Sequence, residues 1–510
     1  MSVEAPTASI PDNPWSGELD SGRPYKMLID GEFVDGETGE TFQCEYPFTG
    51  EKWGSVPIAT PGDVDRAVRA ARRAFDGGWS TSRPIERVML LRRLAQLLRE
   101  DADALGKLQV HENGKLLSEM GQTGEGMAAM AEFYAGLAET THGYTSPSNL
   151  PNMVSYTVRE PIGVVAAITP WNSPLGLLAW KLFPALAAGN TIVIKPSEVT
   201  PLSTLRLGEL VTKAGFPKGV VNVVTGFGNP TGSALVEHPL VEKIGFTGST
   251  ATGQAIAKVA AGRNARVSLE LGGKSPNIIF DDADLDRAVG GVMAGIFSAS
   301  GQTCMAGSRI LVQESISDDF FDKLAARIDK LRLGNPLDPA THISPVASRA
   351  QLEKVLGYIE TGKSEGAEAL TGGGRATEDG LADGFFVKPT IFTGATNEFR
   401  IAREEIFGPV GTVIRFKDED DAARIANDTV YGLAGAIWTE SLRRAHRMIP
   451  RVRGGTIWVN NYRVAEFTRP FGGFKQSGTG RELGIDALHE YTENKSVFID
   501  LGNPMPFGEG

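Results

Sequence analysis

The sequence predicts an α/β protein: a doubly wound parallel sheet, a second α/β region and a small β arm. Five short apolar runs between residues 160 and 270 alternate with helical patterns. These runs lack polar alternation, as strands buried on both faces of a parallel sheet do. The alternation resumes from about 275 to 475, and two strand-like stretches, 152–160 and 493–501, stand apart from both regions.

Residues 1–20 are polar, proline-containing and aperiodic, and are expected to be disordered. In "TPGDVDRAVRAARRAF", Thr60 is an N-cap, Pro61 opens the helix and Asp63 lies in its first turn. Val64, Val68, Ala71 and Phe75 then share one apolar face. A second long helical pattern, "PIERVMLLRRLAQLLREDADALGKL", starts at Pro84. The strands of the first sheet are 163–169, 191–195, 220–224, 243–246 and 266–270, with helices near 178–188, 202–214, 231–237 and 253–261. Sheets of this kind bind ligands beyond the carboxyl ends of their strands. The second region offers strands such as "PNIIF", "RILVQ", "VGTVIRF" and "GTIWVN". The outlying stretches "NMVSYTVRE" and "ENKSVFIDL" are expected to form an arm that pairs with another subunit.

A chain of 510 residues is too long for one ordinary core, and two to four domains are expected. With 51 basic against 62 acidic residues and a net charge of −11, nothing offers a basic footprint for nucleic acid or anionic membrane. No apolar run approaches the roughly 18 residues of a membrane span. The first residues show no basic start followed by an apolar stretch, so no secretory signal is read there. Glycine is abundant, at 61 residues, which suggests places where backbone closely approaches a ligand. The two cysteines, Cys44 and Cys304, allow one disulfide at most, and a cytoplasmic, reducing setting is the simpler reading.

Cys304 stands in "SASGQTCMAGSR" among small and polar neighbours, whereas an inert structural thiol usually sits among bulky apolar ones. That setting leaves room for a substrate, and an activated thiol there is a nucleophile. Glu270 ends the strand "RVSLE", and Gly272 and Gly273 remove side-chain bulk just after it. A partly buried carboxylate at that point can serve as general base; the alternative is a salt bridge to Lys274 or a helix cap. Asn172 follows the first strand, where its amide can donate to a developing oxyanion or simply bond turn backbone after Pro170. "TGFGNPTG" (225–232) and "FTGSTATG" (246–253) are glycine-rich strand-to-helix turns, either phosphate cradles or ordinary βα loops. The first departs from the dinucleotide fingerprint, whose third glycine comes one residue earlier. In "IKPSE", Lys195 and Glu198 can reach a ribose, or can be two solvated charges.

Taken together, the chain resembles the aldehyde dehydrogenase superfamily from about residue 27 to 500. The motifs "PWNSPL", "KPSE", "GFTGST", "LELGGKSP", "GQTCMAGSR", "EEIFGPV" and "PFGGFKQSGTGRELG" occur in the family's order, with 34 residues from Glu270 to Cys304. The resemblance implies Cys304 as nucleophile, Glu270 as general base, Asn172 as oxyanion donor and Lys181 as a proton-relaying, orienting residue. It implies an NAD site, with NADP disfavoured by Glu198. Ile168, Trp171, Lys195, Glu198, Gly228, Gly248 and Ser249 would bind the adenosine and pyrophosphate side. Leu271, Gln351, Lys354, Glu405 and Phe407 would stand near the nicotinamide half. No metal is implied. Implied domains are a dinucleotide-binding unit of 21–145 and 161–270, a catalytic unit of 271–478, and an oligomerisation arm and tail of 146–160 and 479–510, in a homodimer or homotetramer.

Where many relatives carry a large aromatic after the asparagine, this chain has Ser173. That widens the expected pocket near Leu177 and Trp180. Arg463 and Ala465 in "NNYRVAEFT" are expected at the tunnel mouth. A bulky or polar aldehyde, with an acceptor or anionic group near Arg463, follows; the alternative has Arg463 pair with Glu466 at the surface. Two rival functions are a CoA-acylating aldehyde dehydrogenase, whose members typically lack the glutamate, and a non-catalytic homologue.

Overall fold

A computed structural model describes residues 25–502; the expectation for residues 1–20 and the last residues of the expected tail lie outside the described residues. Five parallel strands form the centre of the first sheet, in spatial order Arg266–Glu270, Lys243–Thr247, Val164–Ile168, Thr191–Lys195 and Val221–Val223. Every residue of Thr191–Lys195 and Lys243–Thr247 is buried, as expected of strands covered on both faces. The antiparallel hairpin of Met27–Ile29 and Glu32–Val34 closes one edge, and the short strand Gly478–Thr479 closes the other. Chain order reverses between Val164–Ile168 and Lys243–Thr247, so the crevice at the carboxyl ends of these two strands is the topological switch point.

The second sheet has seven strands in the order Glu368–Thr371, Thr390–Thr393, Val410–Phe416, Arg309–Gln313, Pro276–Ile279, Ala434–Trp438 and Thr456–Val459. All its pairings are parallel except that of Glu368–Thr371 with Thr390–Thr393. Met153–Pro161 and Thr492–Asp500 pair antiparallel with each other over their whole length and form a separate two-stranded arm. Between the edge strand Gly478–Thr479 and this arm, the helix Gly484–Glu490 buries Ala487 and Leu488.

Three helical expectations are corrected. The first helix runs Pro61–Ala74, with Thr60 and Asp63 forming a reciprocal capping box, but Phe75 begins a wider turn over Phe75–Trp79. The long pattern from Pro84 breaks at Asp101 into Pro84–Glu100 and Ala102–Asn113. Asp101 there accepts two hydrogen bonds from the buried Arg206 guanidinium, a partner 105 residues away. The helix expected near 178 begins at Pro174, whose missing N–H costs nothing in the first turn. Among the described residues no helix is long and apolar enough to cross a membrane.

Candidate active site

Loops from both sheets converge on the switch-point crevice. Thr169 to Asn172 follow the strand ending at Ile168, and Gly248 and Ser249 follow the strand ending at Thr247. Ser249 caps the helix Thr250–Ala261, accepting from the Thr252 N–H at 3.2 Å, so that helix's positive end opens into the crevice. A cavity of about 510 Å³ runs past Ile168, Lys195, Glu198, Gly228 and Ser249. It meets a second, of about 200 Å³, bounded by Leu271, Cys304, Gln351, Lys354, Glu405 and Phe407. Trp171, Gly248 and Ser249 border both. All twelve residues expected to bind the cofactor line one cavity or the other.

The residues present fit an extended dinucleotide. Gly228 has open space where a side chain would stand. Lys195 is buried, its Nζ donating to the Pro196 carbonyl at 2.9 Å and lying 3.8 Å from the half-exposed Glu198 carboxylate. Burial holds the Lys195 ammonium below its usual range, with Glu198 opposing. At the other end, Gln351 Nε2 donates to the Phe407 carbonyl at 2.7 Å and the Ile406 carbonyl at 3.2 Å. It thereby secures Phe407 in a left-handed conformation, φ 62°. The Phe407 ring meets Trp171 edge-on, 5.3 Å between centroids. Glu405 Oε1 accepts from the Gly273 N–H at 2.9 Å, and burial raises its carboxyl pKa.

Cys304 sits in a loop that carries conformational strain. Ala299, Ser300 and Gly301 are all left-handed, at φ 54°, 50° and 72°. The two non-glycine residues cost roughly 1–2 kcal/mol each. Side chains from distant segments hold them. Glu119 accepts from the Ala299 N–H at 2.6 Å, and Ser300 Oγ donates to the Ser344 carbonyl at 2.6 Å. Gln302 Oε1 accepts from the Ala347 N–H at 2.8 Å, and Asn172 Nδ2 donates to the Gln302 carbonyl at 2.9 Å. A Cβ on Gly301 would stand 1.9 Å from the Gly408 carbonyl oxygen, so only glycine fits where this loop abuts the Phe407 loop. The Asn172 amide thus serves the cysteine loop, not the turn after Pro170. Cys304 keeps partial solvent access through the cavity, yet burial, reinforced by Glu405 and Glu270, pushes its thiol up to about 12.

Glu270 is buried and neither carboxyl oxygen has a hydrogen-bond partner, so it is paired neither with Lys274 nor with a helix end. Burial raises its pKa well above the usual range; Glu482 adds to the rise, and Lys181 and Arg481 oppose it. The double glycine after it has a steric reason. A Cβ on Gly272 would lie 2.6 Å from Glu405 Oε2, and one on Gly273 2.2 Å from the Cys304 carbonyl oxygen. The chain leaving Glu270 therefore packs backbone-close against the cysteine loop. Lys181 is fully buried, donating to Thr247 Oγ1 and Glu482 Oε1, each at 2.6 Å.

Of the residues expected at the substrate, Leu177 lines the smaller cavity with Cys304. Trp180 packs edge-on against Phe471, 5.1 Å between centroids. Ser173 Oγ accepts from Lys115 Nζ at 3.1 Å. Arg463 is left-handed, φ 68°, and its Nη1 is buried without a hydrogen-bond partner, so that nitrogen is not paired with Glu466. Ala465 is exposed and lines neither cavity. Sequence reasoning missed Lys115 and Glu119, and quoted Gln302 within "GQTCMAGSR" and Glu482 within "TGRELG" without giving either a role. Among the described residues no group of three or more His, Cys, Asp or Glu side chains is arranged to hold a metal.

The family model described as "Aldehyde dehydrogenase family" matches residues 33–497. An aldehyde dehydrogenase of Emericella nidulans is 46% identical over 484 residues, covering 95% of this chain and 96% of that protein. One of Aspergillus niger is 45% identical over the same length and shares. Among solved structures, betaine aldehyde dehydrogenase from Staphylococcus aureus in complex with NAD+ is 41% identical, with a TM-score of 0.93 over 95% of this chain and 96% of that one. A putative aldehyde dehydrogenase from Burkholderia cenocepacia is 44% identical, with a TM-score of 0.93 over 95% of this chain and 99% of that one.

Proposed function

Because the chain belongs to the aldehyde dehydrogenase family, we propose that it oxidises an aldehyde to a carboxylic acid, with NAD as hydride acceptor and water as acyl acceptor. The Cys304 thiol gives up its proton to solvent and its sulfur adds to the aldehyde carbonyl, forming a C–S bond as the C=O π bond opens to an oxyanion. One N–H of the Asn172 amide is committed to Gln302; the other, with the Cys304 backbone N–H, holds the resulting oxyanion. NAD+, held between Lys195 and Glu198 at one end and Glu405 and Phe407 at the other, would supply the acceptor for the hydride that leaves the carbon bonded to Cys304. Glu270, whose raised pKa makes its carboxylate a stronger base, acts in its deprotonated form and takes a proton from water as that water attacks the Cys304 thioester. The C–S bond breaks, the thiol regains a proton and the acid leaves. Lys181 and Glu482 set the charge around Glu270 from behind.

The observation that carries the hydrolytic reading is the unpartnered, buried Glu270 carboxyl against the cysteine loop. Glu198 near the adenosine end would repel a 2′-phosphate, which favours NAD over NADP. The substrate is bulky or polar, since Ser173 leaves space where an aromatic ring would close the pocket. Residues 21–145 and 161–270 form the dinucleotide-binding unit, 271–478 form the catalytic unit that supplies the nucleophile and closes the nicotinamide end, and the protein is cytoplasmic. The arm exposes Val154, Phe498 and Ile499, and an isolated two-stranded ribbon is marginal in water, which supports its role in a homodimer or homotetramer.

NADH formation across aliphatic, aromatic and carboxylate-bearing aldehydes, with and without CoA, tests the reading. CoA-independent turnover that vanishes in Cys304→Ala supports it. Turnover that needs CoA, or none in folded protein that binds NAD+, overturns it.

A further inference from the structure

The geometry points to a cationic anchor at the aldehyde end of the site, formed by Lys115 with Ser173 and Arg463, that takes an aldehyde bearing a carboxylate and turns away one bearing a quaternary ammonium. This rests on the proposed oxidation at Cys304 and adds its substrate class. Lys115 lies two residues beyond the end of the helix Ala102–Asn113 and is fixed at its base by Asn113 Oδ1, which accepts the Lys115 N–H at 2.9 Å. Between them Gly114 is left-handed, φ 75°, and a Cβ there would lie 2.8 Å from Pro47 and 2.9 Å from Pro345. The lysine is thus delivered by a turn that admits little else. Its side chain is only 3% exposed, and its ammonium donates to Ser173 Oγ at 3.1 Å, beside Asn172 and the cysteine loop. An ammonium has three donors, so a ligand oxygen can share this one with Ser173.

Arg463 supplies the second cation. Its neighbour Tyr462 donates from its hydroxyl to the Met305 carbonyl at 2.9 Å, which ties the Arg463 loop to the residue after Cys304. The left-handed backbone at Arg463 turns the guanidinium so that Nη1 is buried without a partner. A buried donor left unmade is costly unless a ligand meets it. Charge points the same way. Glu119 is the carboxylate whose charge opposes the fall of Lys115, and its Oε1 is already engaged by the Ala299 N–H. Burial lowers Lys115 to about 8, with Glu119 opposing and Arg463 adding to the fall, so the lysine still carries its charge at neutral pH. A carboxylate brings the missing counter-charge. A trimethylammonium group would be a third cation in a desolvated space.

The test uses the full-length enzyme with NAD+ and two near-isosteric pairs. One pair is 4-oxobutanoate and 4-methylpentanal, the other trimethylammonioacetaldehyde and 3,3-dimethylbutanal. In the wild type, kcat/KM should favour 4-oxobutanoate over its neutral partner, and 3,3-dimethylbutanal over its cationic partner, each by about tenfold or more. Lys115→Met should cost 4-oxobutanoate about tenfold or more, mainly in KM, leave the neutral aldehydes within about threefold, and be largely rescued by Lys115→Arg. Equal losses on charged and neutral aldehydes would make Lys115 a support of the cysteine loop only and sink the anchor. So would a wild type that takes the ammonium aldehyde as readily as its neutral partner. A readout without turnover separates this from failure of the oxidation itself: alkylation of Cys304 by iodoacetate relative to iodoacetamide, located by mass spectrometry. That ratio should fall about tenfold in Lys115→Met whether or not any aldehyde is oxidised; an unchanged ratio overturns the anchor.

Discussion

Asn172 donates one N–H of its side-chain amide to the carbonyl of Gln302, 2.9 Å away and 130 residues on in the chain. That bond fixes the peptide two residues before Cys304 and, because the amide is planar, also fixes the direction of its second N–H. A neutral amide can hold a developing oxyanion without surrendering a proton. Asn172→Ala should therefore lower kcat by about 10²–10³. It should also cost about 1–3 kcal/mol of stability, since the Gln302 carbonyl is left buried and unmet. Steady-state NADH formation and a denaturant titration check both. An unchanged kcat with lowered stability would leave Asn172 as a support of the loop alone.

The Cys304 thiol, pushed up to about 12 by burial, Glu405 and Glu270, is protonated in the resting enzyme at neutral pH. Alkylation by iodoacetamide without NAD+ should accelerate roughly tenfold per pH unit, because only the thiolate reacts. No plateau should appear below pH 10. Glu405→Gln removes one of the raising charges, so the same curve should move to lower pH. A wild-type plateau near pH 8 would mean that the loop's backbone N–H groups outweigh burial.

Glu270 acts, on this reading, only after the hydride has left. Glu270→Gln should then give a rapid burst of about one NADH per site, followed by steady turnover reduced about 10²–10⁴-fold. Stopped-flow absorbance resolves the two phases. A variant slowed equally in both phases would place Glu270 before hydride loss.

The cofactor groove was legible because it is local. Apolar strands end in glycine-rich or proline-rich loops, and a parallel sheet sends those ends to one crevice, which is why Ile168, Lys195 and Ser249 could be placed from spacing and family motifs alone. The second sheet does not follow that rule. Cys304 and Glu405 lie in loops entering the strands Arg309–Gln313 and Val410–Phe416, at their amino ends. Cys304 was found through its rarity and small neighbours instead. What stayed hidden was pairing at long range. Lys115 meets Ser173 from 58 residues away, Lys181 meets Glu482 from 301, and Asp101 breaks a helix to meet Arg206. No periodicity encodes such partners.

Lys181 and Glu482 form an ion pair with side chains 0% and 1% exposed, Nζ to Oε1 at 2.6 Å. Removing one partner strands the other in a low-dielectric interior. Glu482→Leu alone should cost about 3–5 kcal/mol, whereas Lys181→Met with Glu482→Leu should recover most of that, since an apolar pair of similar volume needs no desolvation. The same pair tunes Glu270. Glu482 raises its pKa and Lys181 lowers it. A general base works when deprotonated, so activity rises with pH through that pKa. Glu482→Gln, which keeps an acceptor for Lys181 but removes the charge, should move the rise in kcat to lower pH, and Lys181→Met should move it to higher pH. A pH profile of kcat across the variants decides the matter. If both single variants lose stability while the profile stays fixed, the pair holds the core together and leaves the general base untouched.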